Sequence, residues 1–212
     1  MKTTLASAIA LVSAVALAAD IKLPDPVRTG GKPLNEALAA RQTHRDFSTA
    51  PLTDQELSDL LWAANGFNRP DQKKRTAPTA VNRQEVDIYV CRADGAYFWD
   101  SEANVLKQVT DKDLRGFTGR MGSPENFALV APIALVYVID YERQGMQQRH
   151  QDAFKYASVD CGFIGQNVYL HAASTGLHTV FLGMINPKEL SAGLGLSEKR
   201  VPLFAQTVGH AK

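Results

Sequence analysis

Residues 158–183 read SVDCGFIGQNVYLHAASTGLHTVFLG. The only formally charged side chain in that stretch is Asp160, and the part up to about Ser174 has helical length without a polar face. A helix that is apolar all round is buried all round. Gly162 and Gly165 remove side chains within it, at a helix-propensity cost of about 1 kcal/mol each, where another backbone can come close. Gly176 ends the helix, and residues 179–184 follow as a strand. A chain of 212 residues has little with which to cover such a helix on every side. The expected arrangement is therefore a homodimer with this helix at the subunit interface.

Upstream, residues 133–139 are an uninterrupted, largely β-branched run that reads as a strand buried on both faces. Residues 86–91 alternate as a strand, Asp94-Gly95 supplies hairpin chemistry, residues 96–99 return, and residues 105–109 pair next. Thr53-Asp54-Gln55-Glu56 has the pattern of a capping box. The helix it opens places Leu57, Leu60, Leu61 and Ala64 on one face and stops at Asn65-Gly66. Leu34, Leu38 and Arg41 lie at i, i+4 and i+7, a second core helix with Arg41 at its C-terminal end. Short helices are expected over residues 111–117 and 124–129, the latter with Ser123 as N-cap and Pro124 at N1. Asn186-Pro187 caps another, and residues 204–208 form the last strand.

With 45% hydrophobic and 21% charged residues, the chain reads as one ordinary globular domain. The Met1 amine and Lys2 precede an apolar run over residues 5–18 that ends in Ala16-Leu17-Ala18. That is the pattern of a secretory signal peptide cut after Ala18, which predicts export, most simply to a periplasm. The run is shorter than the roughly 20 apolar residues of a membrane span. Removing the leader takes away Lys2 and no acid, so the 23 basic and 22 acidic residues come into balance. A neutral mature chain argues against nucleic acid as a partner.

Residues 19–33 carry three prolines and Gly30-Gly31, an extended arm able to wrap a partner subunit, ahead of a functional domain over residues 34–212. Cys91 and Cys161 read as buried apolar residues, with a disulfide as the other option in an exported protein. None of His44, His150, His171, His178 and His210 stands in metal-ligand spacing with a cysteine or another histidine, so no metal site is expected.

Three segments carry chemistry. In Arg41-Gln42-Thr43-His44-Arg45-Asp46-Phe47 the two arginines share a side whether the chain is extended or helical, and their forks suit a phosphate dianion. The alternative is a solvated helix end with Arg45 paired to Asp46 or a nearby glutamate. In Arg75-Thr76-Ala77-Pro78-Thr79-Ala80-Val81-Asn82-Arg83-Gln84, small residues let a loop lie flat against a planar ligand, and Asn82 and Gln84 offer donors and acceptors. An ordinary polar loop before a strand is the alternative. In Gly165-Gln166-Asn167, two amides inside an apolar helix need partners, because an unpaired buried amide costs about 1–3 kcal/mol.

Together, over residues 34–209, these segments resemble the nitroreductase family of FMN enzymes. Arg41, Thr43 and Arg45 match its Arg-x-Ser-x-Arg/Lys motif for phosphate and ribityl. Asn82-x-Gln84 matches its Asn-x-Gln before a strand, and the stretch from Gln166-Asn167 to Gly183 matches its dimer helix and following strand. The resemblance implies an α+β sandwich, a mostly antiparallel sheet flanked by helices, with FMN held between the subunits of a homodimer. It implies cofactor contacts from Arg41, Gln42, Thr43, Arg45, Asn82, Gln84, Leu182 and Gly183, and electron or hydride transfer between a donor and a small-molecule substrate. The Arg75-Thr-Ala-Pro-Thr-Ala stretch is closer to the branch of peptide-azoline dehydrogenases than to nitroaromatic reducers. The acidic residue that many reducers place near the flavin has no match around Leu182-Gly183-Met184, so no catalytic residue is assigned. Where relatives add a C-terminal Lys/Arg segment to the phosphate site, Lys212 is the available substitute. The competing expectation is a non-catalytic, exported flavin-binding or ligand-sequestering protein.

Overall fold

The computed structural model describes residues 20–119, 127–146 and 150–212. In chain order they form β1 (Ile21–Lys22), α1 (Leu34–Ala40), α2 (Asp54–Asn65), β2 (Phe67–Arg69), β3 (Lys74–Arg75), β4 (Val86–Arg92), β5 (Gly95–Asp100), β6 (Val105–Thr110), α3 (Phe127–Val130), β7 (Ile133–Asp140), α4 (Tyr141–Gln144), α5 (His150–Thr175), β8 (His178–Leu182), α6 (Pro187–Gly193) and β9 (Arg200–Gly209). Seven strands make one sheet ordered β1-β6-β5-β4-β7-β9-β8, while β2 and β3 form a separate ribbon. Every pairing in the large sheet is antiparallel.

The central strand β7 shows why the sheet has helices on both sides. Ile133, Leu135, Tyr137 and Ile139 pack with Leu57, Leu60 and Leu61 of α2 and with Cys161, Ile164 and Val168 of α5. Ala134, Val136 and Val138 point the other way, into a cluster with Leu190 of α6 and Leu194. Period-two geometry sends alternate residues into two cores, so a strand covered on both faces has no polar positions to show. The fold is the expected α+β arrangement. Cys91 and Cys161 are free, and they belong to the clusters on opposite faces of the sheet, which removes the disulfide option.

Local signals set the edges of these elements. The Thr53 hydroxyl accepts from the Glu56 N–H at 3.2 Å, and Glu56 accepts from the Thr53 N–H at 2.8 Å, a complete capping box for α2. The β4–β5 hairpin turns through Ala93-Asp94, and β5 opens at Gly95, where φ is +146° and a Cβ would lie 2.4 Å from the Thr110 carbonyl oxygen. Only glycine fits there.

Several expectations change in three dimensions. In α1 the buried residue is Ala37, while Leu34 and Leu38 are exposed, so α1 is not a core helix within the chain. The arm is extended over its described residues but packs on its own chain. Ile21 pairs with Leu106 as an added edge strand, the Ser58 hydroxyl donates to the Pro24 carbonyl, and the Lys32 N–H donates to Ser174. Helix α5 starts at His150, and its buried residues Ala153, Ala157, Cys161, Ile164, Val168 and Ala172 form one stripe. Its other face is not covered by the described residues: Tyr156, Val159 and Phe163 are 41%, 49% and 43% exposed. Gly165 is needed by the sheet, since a Cβ would sit 2.6 Å from the Phe181 ring, whereas Gly162 faces open space. Of residues 111–117 only Arg115–Phe117 is helical, as a 3-10 turn. Ser123, Pro124 and the leader over residues 1–18 lie outside the described residues.

One acidic pair interrupts the core against α5. Glu85 is fully buried and Asp160 is 2% exposed. Three of their four carboxylate oxygens find no donor among the described residues. Burial first, then the facing Glu85 carboxylate, pushes the Asp160 carboxyl up to about 7.

Candidate functional site

Arg41 is the C-cap of α1, where its backbone leaves the helix at ψ 122°. The chain then runs beside β8, the outer strand of the sheet, tied to it by the His44 N–H bond to the Thr179 carbonyl at 3.0 Å. The Arg41 guanidinium lies 5.3 Å over the Tyr169 ring, and the Thr43 hydroxyl lies 3.0 Å from the Tyr169 hydroxyl. Tyr169 is itself held by the Phe181 N–H at 3.0 Å. Among the described residues neither Arg41 nor Arg45 has a carboxylate partner, and Asp46 sits beside His44 and His178 instead. That removes the solvated ion-pair alternative for Arg45. Gln42, Thr43 and Arg45 are exposed, so this edge presents two uncompensated guanidinium groups and a hydroxyl to whatever approaches.

Leu182 ends the same strand and Gly183 follows it directly. At about 3.3 Å per residue they stand roughly 10–13 Å from Thr179 along one sheet edge. A Cβ added to Gly183 would meet only the Phe204 ring, at 3.8 Å, so the space over its backbone is clear.

The second segment forms a strained loop. Val81, Asn82 and Gln84 have φ of +47°, +57° and +52°. A left-handed conformation costs non-glycine residues about 1–3 kcal/mol each and is most unusual for a β-branched valine. Gln84 holds the loop: its amide accepts from Arg75 at 2.7 Å and donates to the Lys73 carbonyl at 2.6 Å and to Asn82 at 3.0 Å. Arg75 is anchored by the Asn65 carbonyl and Ser101 and stacks 4.2 Å over Phe67, and burial pulls it down to about 10, still charged at neutral pH. The Gln84 amide is thus consumed inside the loop. Asn82 has its oxygen engaged and its NH₂ group exposed, so it is the donor that the loop displays.

In the third segment, Asn167 donates to the Ala64 carbonyl at 3.3 Å, whereas Gln166 is exposed on the uncovered face of α5 and needs no internal partner. Beside Asn167 lies an open cleft of about 310 Å³ between α2 and α5, which includes Trp62, Asn68, Thr76 and His171. A larger cleft of about 460 Å³, with Tyr89, Phe98 and Arg200 in its lining, is on the α6 side of the sheet and contains no motif residue. Concavity alone does not find the site.

The structure therefore places Arg41, Thr43, Leu182 and Gly183 along one edge, with Arg45 in the same segment. Asn82 and Gln84 are held by a separate network. Tyr169 was missed in sequence, because an aromatic residue inside an apolar helix reads as core. His44 and His178 were missed for another reason: Asp46 and His178 are 132 residues apart, yet the His178 ring nitrogen lies 2.9 Å from the Asp46 carbonyl. The two imidazoles stack at 3.6 Å with planes 7° apart. Burial, and next the neighbouring His178, lower the proton affinity of His44.

A sequence model described as the nitroreductase family matches residues 38–210. A Methanocaldococcus jannaschii protein named as a nitroreductase is 30% identical over 197 residues, covering 90% of this chain and 96% of its own. The NADPH-flavin oxidoreductase of Vibrio harveyi is 24% identical over 182 residues, covering 82% of this chain and 64% of its own. Among solved structures, a protein of Ralstonia eutropha JMP134 named as a nitroreductase superposes with a TM-score of 0.83 at 34% identity, covering 91% of this chain and 90% of its own.

Proposed function

The chain belongs to the nitroreductase family, and on that premise we propose that it is an exported, homodimeric, FMN-dependent oxidoreductase acting on a small organic substrate. The observation that carries this reading is the edge of β8, where Arg41 and Thr43 converge on Tyr169 while Arg41 and Arg45 have no carboxylate partner among the described residues. That donor set fits a terminal phosphate. Arg41, Arg45 and Thr43 would hold the phosphate and ribityl end, and Leu182 and Gly183 would lie beside the ring. Asn82 would donate its free amide to a ring acceptor, with Gln84 and Arg75 keeping it in place. Bound FMN supplies the two-electron chemistry, and the chain supplies position and electrostatics. No side chain is assigned as general acid or base. The visible spectrum of purified protein, with mass identification of the released chromophore, tests the cofactor; a colourless chain that does not take up added FMN refutes it. Turnover with a donor and an acceptor separates an enzyme from a flavin-sequestering protein.

The uncovered face of α5 supports a dimer. Tyr156, Val159 and Phe163 lie at i, i+3 and i+7, and since each is a little under half exposed, covering the exposed part is worth about 1 kcal/mol apiece. A two-fold contact there uses the same patch twice. Light scattering is expected to give twice the chain mass, and Val159→Glu with Phe163→Glu is expected to give monomers that retain less flavin. A flavin-loaded wild-type monomer would exclude an interface site.

Export rests on residues 1–18 and has a consequence for the donor. Outside the cytoplasm a nicotinamide pool is not expected, so a reduced quinone, an electron-transfer partner or a hydride-delivering substrate is the proposed source. Anaerobic stopped-flow mixing is expected to show slow, weakly saturating flavin reduction by NADH and NADPH. Fast saturable reduction, together with recovery of the native protein in the cytoplasmic fraction, would overturn the proposal.

A further inference from the structure

Three side chains that flavin binding leaves unused meet beside β8. We propose that His44, Asp46 and His178 bind one divalent transition-metal ion of the zinc, nickel or copper class. One ligand atom from each residue lies within 4.8 Å of the others. The Asp46 carboxylate is 3.4 Å from His178 Nδ1 and 3.8 Å from His44 Nδ1. Metal–ligand bonds of about 2.0–2.2 Å at tetrahedral angles set neighbouring ligand atoms about 3.3–3.6 Å apart, so the carboxylate is already near its working position. Two imidazoles and one carboxylate select borderline metals over magnesium or calcium, which prefer all-oxygen sites.

The scaffold is firm on both sides. His178 is a strand residue paired with Gly209, and the His44 N–H is bonded to the Thr179 carbonyl. The side chains of His44, His178 and Asp46 are 25%, 16% and 61% exposed, which gives an ion a way in and leaves room for water on its remaining positions. Stacking and ligation exclude one another. An imidazole lone pair lies in the ring plane, and two stacked, nearly parallel rings with centroids 3.6 Å apart cannot both have one ion in their planes. His44, the more exposed ring, must turn, and His178 Nδ1, if it is the ligand, gives up its bond to the Asp46 carbonyl. The bound ion would pin the segment that carries Thr43 and Arg45 to β8, yet the site stands whether or not the protein holds flavin.

The test is calorimetric titration of chelator-treated protein with Zn²⁺ and with Ni²⁺, alongside Mg²⁺ and Ca²⁺ controls. Saturation at one Zn²⁺ or Ni²⁺ per chain is expected, with no heat from the controls and with shifted ring-nitrogen NMR signals of both His44 and His178. His44→Phe keeps an aromatic ring for the stack and removes a ligand, and Asp46→Asn preserves shape. Since loss of an outer-shell partner already weakens metal sites by 10–100-fold in general, each variant is expected to lose about tenfold or more in affinity. Absence of saturable binding overturns the proposal, as does binding that survives both substitutions, because the ion then sits elsewhere.

Discussion

Replacing Arg41 and Arg45 together by alanine is expected to strip the protein of FMN. Hydrogen bonds to charged groups are worth about 1.5–3 kcal/mol each, so losing both guanidinium partners of one phosphate should weaken binding by about 10²–10⁴-fold. Neither arginine has an acidic partner among the described residues, so the substitutions orphan no internal carboxylate and the fold should survive. Thr43→Ala should cost far less, about fivefold, because it removes one neutral hydrogen-bonding group. Arg41→Lys should fall between, since an ammonium keeps the charge and loses the planar fork that lies over Tyr169. Fluorescence titration of flavin-free protein with FMN measures all three variants against the wild type. An unchanged Kd in the double variant would move the phosphate away from the β8 edge.

How much of this was legible in sequence depends on the range of the physics. The capping box at Thr53 and Glu56 and the two-faced burial of β7 are local or periodic properties, and each lies where its residues imply; the β4–β5 turn falls one residue before Asp94-Gly95, on Ala93-Asp94, because Gly95 pairs with Arg92. Strand β1 was not legible, because two residues carry no period and Ile21 becomes a strand only by meeting Leu106. The same holds for β2 and β3, which form a ribbon of three and two residues. Leu34 and Leu38 have helical spacing, but spacing cannot tell a core from an outer surface. At the site, Arg41 and Thr43 could be named because they are two residues apart. Their support, Tyr169, and the stack of His44 on His178 arise only when α5 and β8 close on the segment. The sequence offers Gln84 as an amide for the cofactor. Its bonds to Arg75 and the Lys73 carbonyl show it fixing the loop, a division of labour with Asn82 that a dipeptide spacing does not contain.

Asp160→Asn is expected to stabilise the protein above neutral pH and to leave it unchanged near pH 4. Asp160 faces Glu85 where the described residues offer no donor to three of their four oxygens, and its carboxyl is pushed up to about 7, by burial first and by Glu85 second. In the unfolded chain an aspartate loses its proton near 3.9. Between those values the folded state binds a proton that the unfolded state has released, so stability falls as pH rises. The fall is about 1.4 kcal/mol per pH unit and totals at most about 4 kcal/mol once pH passes 7. Below pH 4 both states are protonated and the penalty vanishes. An amide in place of Asp160 needs no proton and can donate to Glu85, so the variant's stability curve should lack this slope. At pH 8 a gain of even half the maximum would raise Tm by about 4–8 °C for a chain of this size. Thermal unfolding of wild type and variant from pH 4 to 8 decides the matter: curves that stay parallel across that range would show that the pair holds no proton and that a donor reaches Glu85 and Asp160 in solution.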